Sequence, residues 1–158
     1  MDSSIKKGVG FGLTSGIITT LGMLIVLSAV SESKTVVLGG ILSIAIADAA
    51  SDAMGMHISE ESHERAESKH IWQATISTFI SKFIFAVTFL IPILTLNLDK
   101  AVIVSLIWGF FLIGIFSYKI AKDRNENPFT AVAEHTTIAV IVLAVIHFTG
   151  NLIKSFAG

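Results

Sequence analysis

The sequence contains no cysteine and few charged residues. Only 15% of its 158 residues are Asp, Glu, Lys or Arg, against about 25% in an ordinary soluble domain. Without cysteine there are no disulfide bonds, thiolate metal sites or thiol nucleophiles, although the redox compartment stays open. The 11 Lys and Arg residues are scattered instead of clustered on one basic face, so nucleic acid is not an expected partner. No nucleophile–base arrangement is visible either, and an enzyme is not expected.

Hydrophobic residues make up 53% of the chain and gather in five stretches, each close to the roughly 20 residues that cross a bilayer. This pattern predicts an all-α integral membrane protein with one transmembrane domain over residues 1–158 and a short cytoplasmic Glu/His-rich segment at 60–70. The first stretch exceeds the about 7–15 apolar residues of a signal peptide and should remain in the mature chain. Close helix packing is expected at Gly39, Gly40, Gly109 and Gly114. The predicted helices run from about Gly8 to Val30, Thr35 to Ser59, Ile71 to Leu96, Ala101 to Ala121 and Phe129 to Ile153.

The placement of Lys and Arg predicts the orientation. With the N-terminus inside, the basic residues near the cytoplasmic ends clearly outnumber those outside, as the positive-inside rule requires. The inner set is Lys6, Lys7, Arg65, Lys69, Lys119, Lys122 and Arg124, and the outer set is Lys34, Lys100 and Lys154. An N-in, C-out topology follows.

Two aspartates interrupt the second apolar stretch, in "IADAASDAMGMHISEESHE". At about 1.5 Å per residue, Asp52 lies on the order of 10 Å and Asp48 on the order of 16 Å from the cytoplasmic end near Ser59. Their i, i+4 spacing places both on one stripe of the helix, with Met56 beside it. A charge at such depth costs at least about 2.5–3.5 kcal/mol and normally serves ions or protons. The pair is therefore a candidate cation site.

Lys82, in the third stretch, is predicted to lie level with Asp48. An Asp48–Lys82 ion pair would hold two helices in register without any transport role. It is also compatible with transport, because Lys82 would act as an internal cation that an arriving metal or proton displaces. Asp52, one turn nearer the cytoplasm, is expected to have no lysine available, and its charge would be free to meet a cation.

Other polar residues are predicted at the depth of Asp52. Ser15 in the first helix and Glu134 with His135 in the fifth lie roughly 8–11 Å from their cytoplasmic ends. Carboxylates, an imidazole and a Met54 or Met56 thioether would suit Fe²⁺ or Mn²⁺, whereas Ca²⁺ or Mg²⁺ would favour oxygen ligands alone. For His135, a position at the helix start near the headgroups is an equally open interpretation.

The segment "SEESHERAESKH" carries a second group of candidate ligands. Glu60, His63, Glu64 and Glu67 follow i, i+3, i+4, i+7 spacing, and they would share a face if the helix continued past the membrane. Glu60-x-x-His63 has the spacing of carboxylate-bridged metal sites in helical bundles, which suggests capture of cytoplasmic metal. The alternative is a charged helix extension that only solvates the membrane boundary.

Several of these motifs resemble the vacuolar iron transporter family. "SGIITTLG" from Ser15 to Gly22 is similar to an Asp-Gly followed by a Thr-Leu-Gly-like run in that family's first helix. "SDAMGMHIS" from Ser51 to Ser59 is similar to the motif that ends its second helix, and Pro92 and the closing "NPFTAVAEHTTIAVIVLAVIHFTGNLI" also fit. The resemblance implies five transmembrane helices, a homodimer and export of a divalent metal.

The sequence departs from the family at the metal site. Ser15 stands where the family has an Asp, Asp52 where it has a Met, and Met56 where a Gly is followed by Glu. Relative to the family, the metal-site carboxylate is therefore on the second helix, at Asp52, and not on the first. Where some members insert a large cytoplasmic metal-binding domain, this chain has only the short Glu/His segment.

The sequence therefore predicts a homodimeric transporter in the lipid bilayer that moves Fe²⁺ or Mn²⁺ out of the cytoplasm, with no permanently bound cofactor. Asp48, Asp52 and Glu134 suggest exchange for protons, because carboxylates clustered at low dielectric release protons when a cation binds. The membrane would be the plasma membrane of a prokaryote or a vacuolar-type membrane of a eukaryote. Two alternatives remain: a structural or accessory membrane protein with an Asp48–Lys82 clamp, and a proton- or sodium-linked transporter of a non-metal substrate.

Overall fold

The structure is a computed structural model that describes residues 2–63 and 67–157, apart from the side chain of Ala157. All of its regular elements in these ranges are helices, as predicted. Five helical spans, with α3 and α4 counted together as Ser68–Thr95, are long and apolar enough to cross a membrane. The helices are α1 Ser3–Val30, α2 Lys34–Glu61, α3 Ser68–Thr88, α4 Leu90–Thr95, α5 Leu98–Asp123 and α6 Pro128–Ala157.

The helices are longer at most ends than the sequence predicted, and the third is interrupted. It breaks at Phe89, between α3 and α4. Pro92 is the reason, because its ring clashes with the carbonyl four residues earlier, at Thr88, and it has no N–H to donate. Helix α5 begins after its N-cap residue Asn97, whose side chain accepts a hydrogen bond from the backbone N–H of Lys100 at 3.3 Å.

The chain divides into two compact units. The first unit comprises Met1–Thr20 and Ile41–Leu90, and therefore holds the first half of α1, most of α2 and all of α3. The second comprises Leu21–Gly40 and Ile91–Gly158, and holds the remaining parts of α1 and α2 together with α4, α5 and α6. Both predicted aspartates and Lys82 belong to the first unit.

Large apolar side chains cover the outward faces of the helices. Ile107 is 66% exposed and Phe148 is 77% exposed, and many Ile, Leu, Val and Phe side chains resemble them. An α-helix satisfies its backbone hydrogen bonds internally, so such faces are stable in hydrocarbon. The apolar exteriors agree with an integral membrane protein.

Gly8, Gly12 and Gly16 of α1 allow that helix to pack closely against α3 in the first unit. A Cβ at Gly8 would lie 2.4 Å from the carbonyl oxygen of Ala74, and one at Gly12 would lie 2.4 Å from that of Thr78. Only glycine fits these contacts, which follow the small-xxx-small pattern of membrane helix pairs. The expectation of close packing was wrong at Gly39 and Gly114, where a Cβ would meet nothing within 4 Å.

We expect Thr20→Val to leave stability unchanged or to raise it by about 1 kcal/mol. The Thr20 side chain in α1 is fully buried, and its hydroxyl has no hydrogen-bond partner within residues 2–63 and 67–157. Valine has the same shape without the unsatisfied group, whose burial costs about 1–3 kcal/mol. Thermal unfolding of purified protein measures the change.

Thr19→Val is the matched control for Thr20→Val. The Thr19 hydroxyl donates to the carbonyl oxygen of Ser15 at 2.9 Å, so this substitution removes an existing hydrogen bond and should be slightly destabilising. A loss of more than about 1 kcal/mol in Thr20→Val, measured beside this control, would contradict the assignment of an unsatisfied hydroxyl.

Candidate cation site

Three helices of the first unit bring four polar side chains into one cluster. Asp48 and Asp52 come from successive turns of α2, Ser15 from α1 and Lys82 from α3. The Ser15 hydroxyl donates to Asp52 Oδ2 at 2.6 Å and accepts from Lys82 Nζ at 2.9 Å. Lys82 Nζ also donates to Asp52 Oδ2 and lies 2.6 Å from Asp48 Oδ2. We call these four residues the carboxylate–lysine cluster.

The ammonium group is the most enclosed part of the cluster. Lys82 is 1% exposed, and its ammonium donates hydrogen bonds to Ser15 and Asp52 and forms an ion pair with Asp48. Space for the lysine stem comes from Gly16, because a Cβ there would lie 3.1 Å from Lys82 Cγ. The glycine next to Ser15 thus lets α1 approach close enough for the Ser15 hydroxyl to reach the ammonium.

The two carboxylates are more accessible than the ammonium. The Asp48 and Asp52 side chains are 31% and 22% exposed. Asp48 Oδ2 is itself buried and makes an ion pair with Lys82, but it has no hydrogen bond to any described residue. Two carboxyl groups thus face one ammonium group, and one carboxyl oxygen is incompletely satisfied. Such a group attracts a cation from its exposed side.

The Asp48–Lys82 pair predicted from the sequence is confirmed, whereas the expectation that Asp52 lacks a lysine is wrong. Counting the rise per residue locates only the Cα atoms. Helical side chains tilt toward the N-terminus of their own helix, so Lys82 leans toward the start of α3 and Asp52 toward the start of α2. Two contacts, His57 Nδ1 to Thr75 Oγ1 at 3.0 Å and Asp52 with Lys82, show that α2 and α3 run antiparallel, because residue numbers rise along one helix as they fall along the other. Lys82 and Asp52 therefore lean toward each other.

The remaining candidate ligands predicted within the apolar helices are distributed over both units. Met56 is buried on α2 in the first unit, one turn beyond Asp52. Glu134 and His135 belong to α6 in the second unit; the Glu134 side chain is exposed, and His135 Nδ1 lies 2.8 Å from the hydroxyl of Ser117. Within the described ranges, no group of three His, Asp or Glu side chains is arranged to hold a metal ion.

The Glu/His segment does not form one helical face, so the predicted geometry is wrong. Helix α2 ends at Glu61, His63 lies in the bend that follows, and Glu67 is the N-cap position of α3. Glu60 instead forms an ion pair with Lys7, and Glu67 Oε2 lies 3.6 Å from His70 Nε2. Glu64 lies outside the described residues.

Comparisons of the chain with protein-family models and with curated proteins found no match.

The sequence analysis did not predict the role of Gly16, although the regular spacing of Gly8, Gly12 and Gly16 is a visible signal for a closely packed helix. No sequence pattern indicated that Lys82 would contact both aspartates. That contact depends on how two antiparallel helices are aligned.

Proposed function

We propose that the protein is an integral membrane transporter that moves a divalent transition metal, Fe²⁺ or Mn²⁺, out of the cytoplasm. Asp48 and Asp52 bind the metal, and the Lys82 ammonium occupies the metal position between transport events. The proposed topology is N-in, C-out, from the excess of Lys and Arg at the cytoplasmic ends. The homodimer and the exchange for protons belong to the same proposal.

The observation that carries this proposal is the excess of carboxylates over ammonium groups in the cluster. A pair that only holds two helices together needs one aspartate for one lysine, and a second carboxylate within an apolar helix is costly unless it has a function. Asp48 and Asp52 are partly exposed while Lys82 is enclosed behind them, so a cation reaches the carboxylates first. Replacing the ammonium by a metal keeps both carboxylates neutralised, and Lys82 then turns away or gives up its proton.

Two further observations favour competing functions. The enclosed Lys82 ammonium donates hydrogen bonds to Ser15 and Asp52 and forms an ion pair with Asp48, and a purely structural or accessory protein would also need these contacts. The cluster supplies only oxygen ligands, which suit hard cations such as Na⁺ better than they suit Fe²⁺. That second observation favours a proton- or sodium-linked transporter of a non-metal substrate. Measuring in vesicles which ions the protein transports distinguishes the metal transporter, the structural protein and the proton- or sodium-linked transporter.

We expect Asp48→Asn and Asp52→Asn each to reduce metal transport by about tenfold or more, since losing about 1.4 kcal/mol of site energy is a factor of ten. Each substitution keeps the size of the side chain and leaves Lys82 one carboxylate, so folding should survive. Metal entry into vesicles containing purified protein, followed with a metal-sensitive dye, measures the rate. Glu61→Gln, an exposed carboxylate at the end of the same helix, is the matched control and should transport normally.

Wild-type rates in both aspartate variants would reject the carboxylate–lysine cluster as the transport site. If wild-type protein moves none of Fe²⁺, Mn²⁺ and Na⁺, the structural function is supported instead. Transport of Na⁺ alone supports the second alternative. Proton exchange is tested in the same vesicles, because metal transport at equal rates with and without a pH gradient would reject it.

A further inference from the structure

A polar chamber of about 600 Å³ lies in the second unit, where the C-terminal end of α1 meets the start of α5 and the last turns of α6. Its charged side chains are Glu32, Asp99 and Lys154, and all three are exposed. Two carboxylates and one ammonium thus surround a space the size of a small ligand. None of these residues belongs to the carboxylate–lysine cluster.

An apolar groove of about 690 Å³ continues from this chamber. It shares Ser28, Ala29, Asp99 and Lys154 with the chamber. His147 and Asn151 also line the groove, and Nδ2 of Asn151 lies 3.0 Å from Nε2 of His147. The groove is otherwise apolar. Its deeper walls are Ile25, Val102, Leu106, Phe110, Val140 and Leu143.

The length of the groove matches one leaflet of a bilayer. On α5 the groove residues run from Asp99 to Phe110, a separation of eleven positions, which at a rise of about 1.5 Å per residue is on the order of 16 Å. Half of a hydrocarbon core about 30 Å thick is on the order of 15 Å. The chamber and groove together therefore have a polar end at Lys154, an apolar end at Phe110, and the length of one leaflet.

We propose that the chamber and groove bind one phospholipid whose headgroup carries a primary amine. The lipid phosphate pairs with Lys154, the headgroup ammonium pairs with Asp99 and Glu32, and an acyl chain lies along the apolar walls. An anionic headgroup fits less well, because carboxylates outnumber ammonium groups two to one in the chamber. A trimethylated headgroup has no N–H to donate to the carboxylates. The site is separate from the proposed transport of ions.

Competitive lipid binding to the purified full-length protein tests the proposal. The protein in mild detergent is given an equal mixture of phosphatidylethanolamine, phosphatidylcholine and phosphatidylglycerol with identical chains, and the retained lipids are counted by native mass spectrometry. We expect phosphatidylethanolamine to be retained about tenfold over each of the others, a difference of about 1.4 kcal/mol. Equal retention of the three, or preference for phosphatidylglycerol, would overturn the proposal.

Substitutions in the chamber locate the site. Asp99→Asn and Glu32→Gln should each reduce the preference for phosphatidylethanolamine over phosphatidylcholine, and Lys154→Gln should weaken retention of both. Lys100→Gln, next to Asp99 but not lining either cavity, is the matched control and should bind as wild type. Glu32 lies between helices, so its variant keeps the test valid if Asp99→Asn folds poorly. An unchanged preference in folded Glu32→Gln and Asp99→Asn overturns the proposal.

A headgroup without chains tests the groove. Glycerophosphoethanolamine should fail to displace the retained phospholipid at equal concentration, because it cannot occupy the apolar walls. Displacement at equal concentration would show that the groove contributes nothing, and the proposal of a lipid site would be wrong.

Discussion

Lys82→Met should lower the free energy of unfolding by about 3–5 kcal/mol, the usual cost of removing one partner from a buried ion pair. Methionine fills the space next to Gly16 but leaves Asp48 and Asp52 facing each other without a counter-ion. Thermal unfolding of the purified protein, in metal-free buffer, measures the loss. Lys122→Met, an exposed lysine in the last turn of α5, is the matched control and should change stability little.

Removing the charges of both aspartates should restore stability to Lys82→Met. The triple variant Lys82→Met, Asp48→Asn, Asp52→Asn removes the charges together and should recover much of the lost stability. Added Mn²⁺ should stabilise Lys82→Met more than wild type, because the metal no longer competes with an ammonium and binding to the native state raises stability with ln(1 + [L]/Kd). If metal-free Lys82→Met unfolds like wild type, the ammonium is not what neutralises the carboxylates. If Mn²⁺ stabilises both proteins equally, Lys82 does not occupy the metal position.

Gly12→Ala should destabilise the first unit by about 1–3 kcal/mol or more, the cost of forcing an extra methyl group into a packed interface. The new Cβ would lie 2.2 Å from Ser81 Oγ and 2.4 Å from the carbonyl oxygen of Thr78. The hydroxyl can rotate away, but a helix carbonyl cannot, so α1 and α3 must separate. Their separation also draws Ser15 away from Lys82, and we expect transport to fall with stability. Unfolding and vesicle transport measure the two effects.

Gly114→Ala is the matched control for Gly12→Ala. A Cβ at Gly114 would meet nothing within 4 Å, so alanine there gains the roughly 0.5–1 kcal/mol that separates it from glycine in a helix. Adding Ser81→Ala to Gly12→Ala should restore only part of the stability, because the Thr78 carbonyl remains. Equal stability of Gly12→Ala and Gly114→Ala would mean that α1 and α3 do not pack as closely as described.

Much of the helical architecture could be read from the sequence because it depends on local properties. Five apolar stretches separated by short polar breaks predicted five long helices, and the aspartates at i, i+4 were correctly placed on one stripe of α2. The break at Phe89 was not predicted, although Pro92 was noticed. Proline disturbs the residue four positions earlier, and whether a helix then bends or stops depends on what packs against it.

The sequence by itself determined which stretches of this protein form long apolar helices and that Asp48 lies near Lys82, because hydrophobic length and residue count are properties of the chain alone. Only the tertiary structure decided that Lys82 also contacts Asp52 and Ser15, and that Gly8, Gly12 and Gly16 allow α1 to pack closely against α3. Both outcomes depend on the direction in which side chains lean and on the register between α1, α2 and α3. The register is decided by which surfaces fit within a fraction of an ångström, and no pattern within a single helix carries that information.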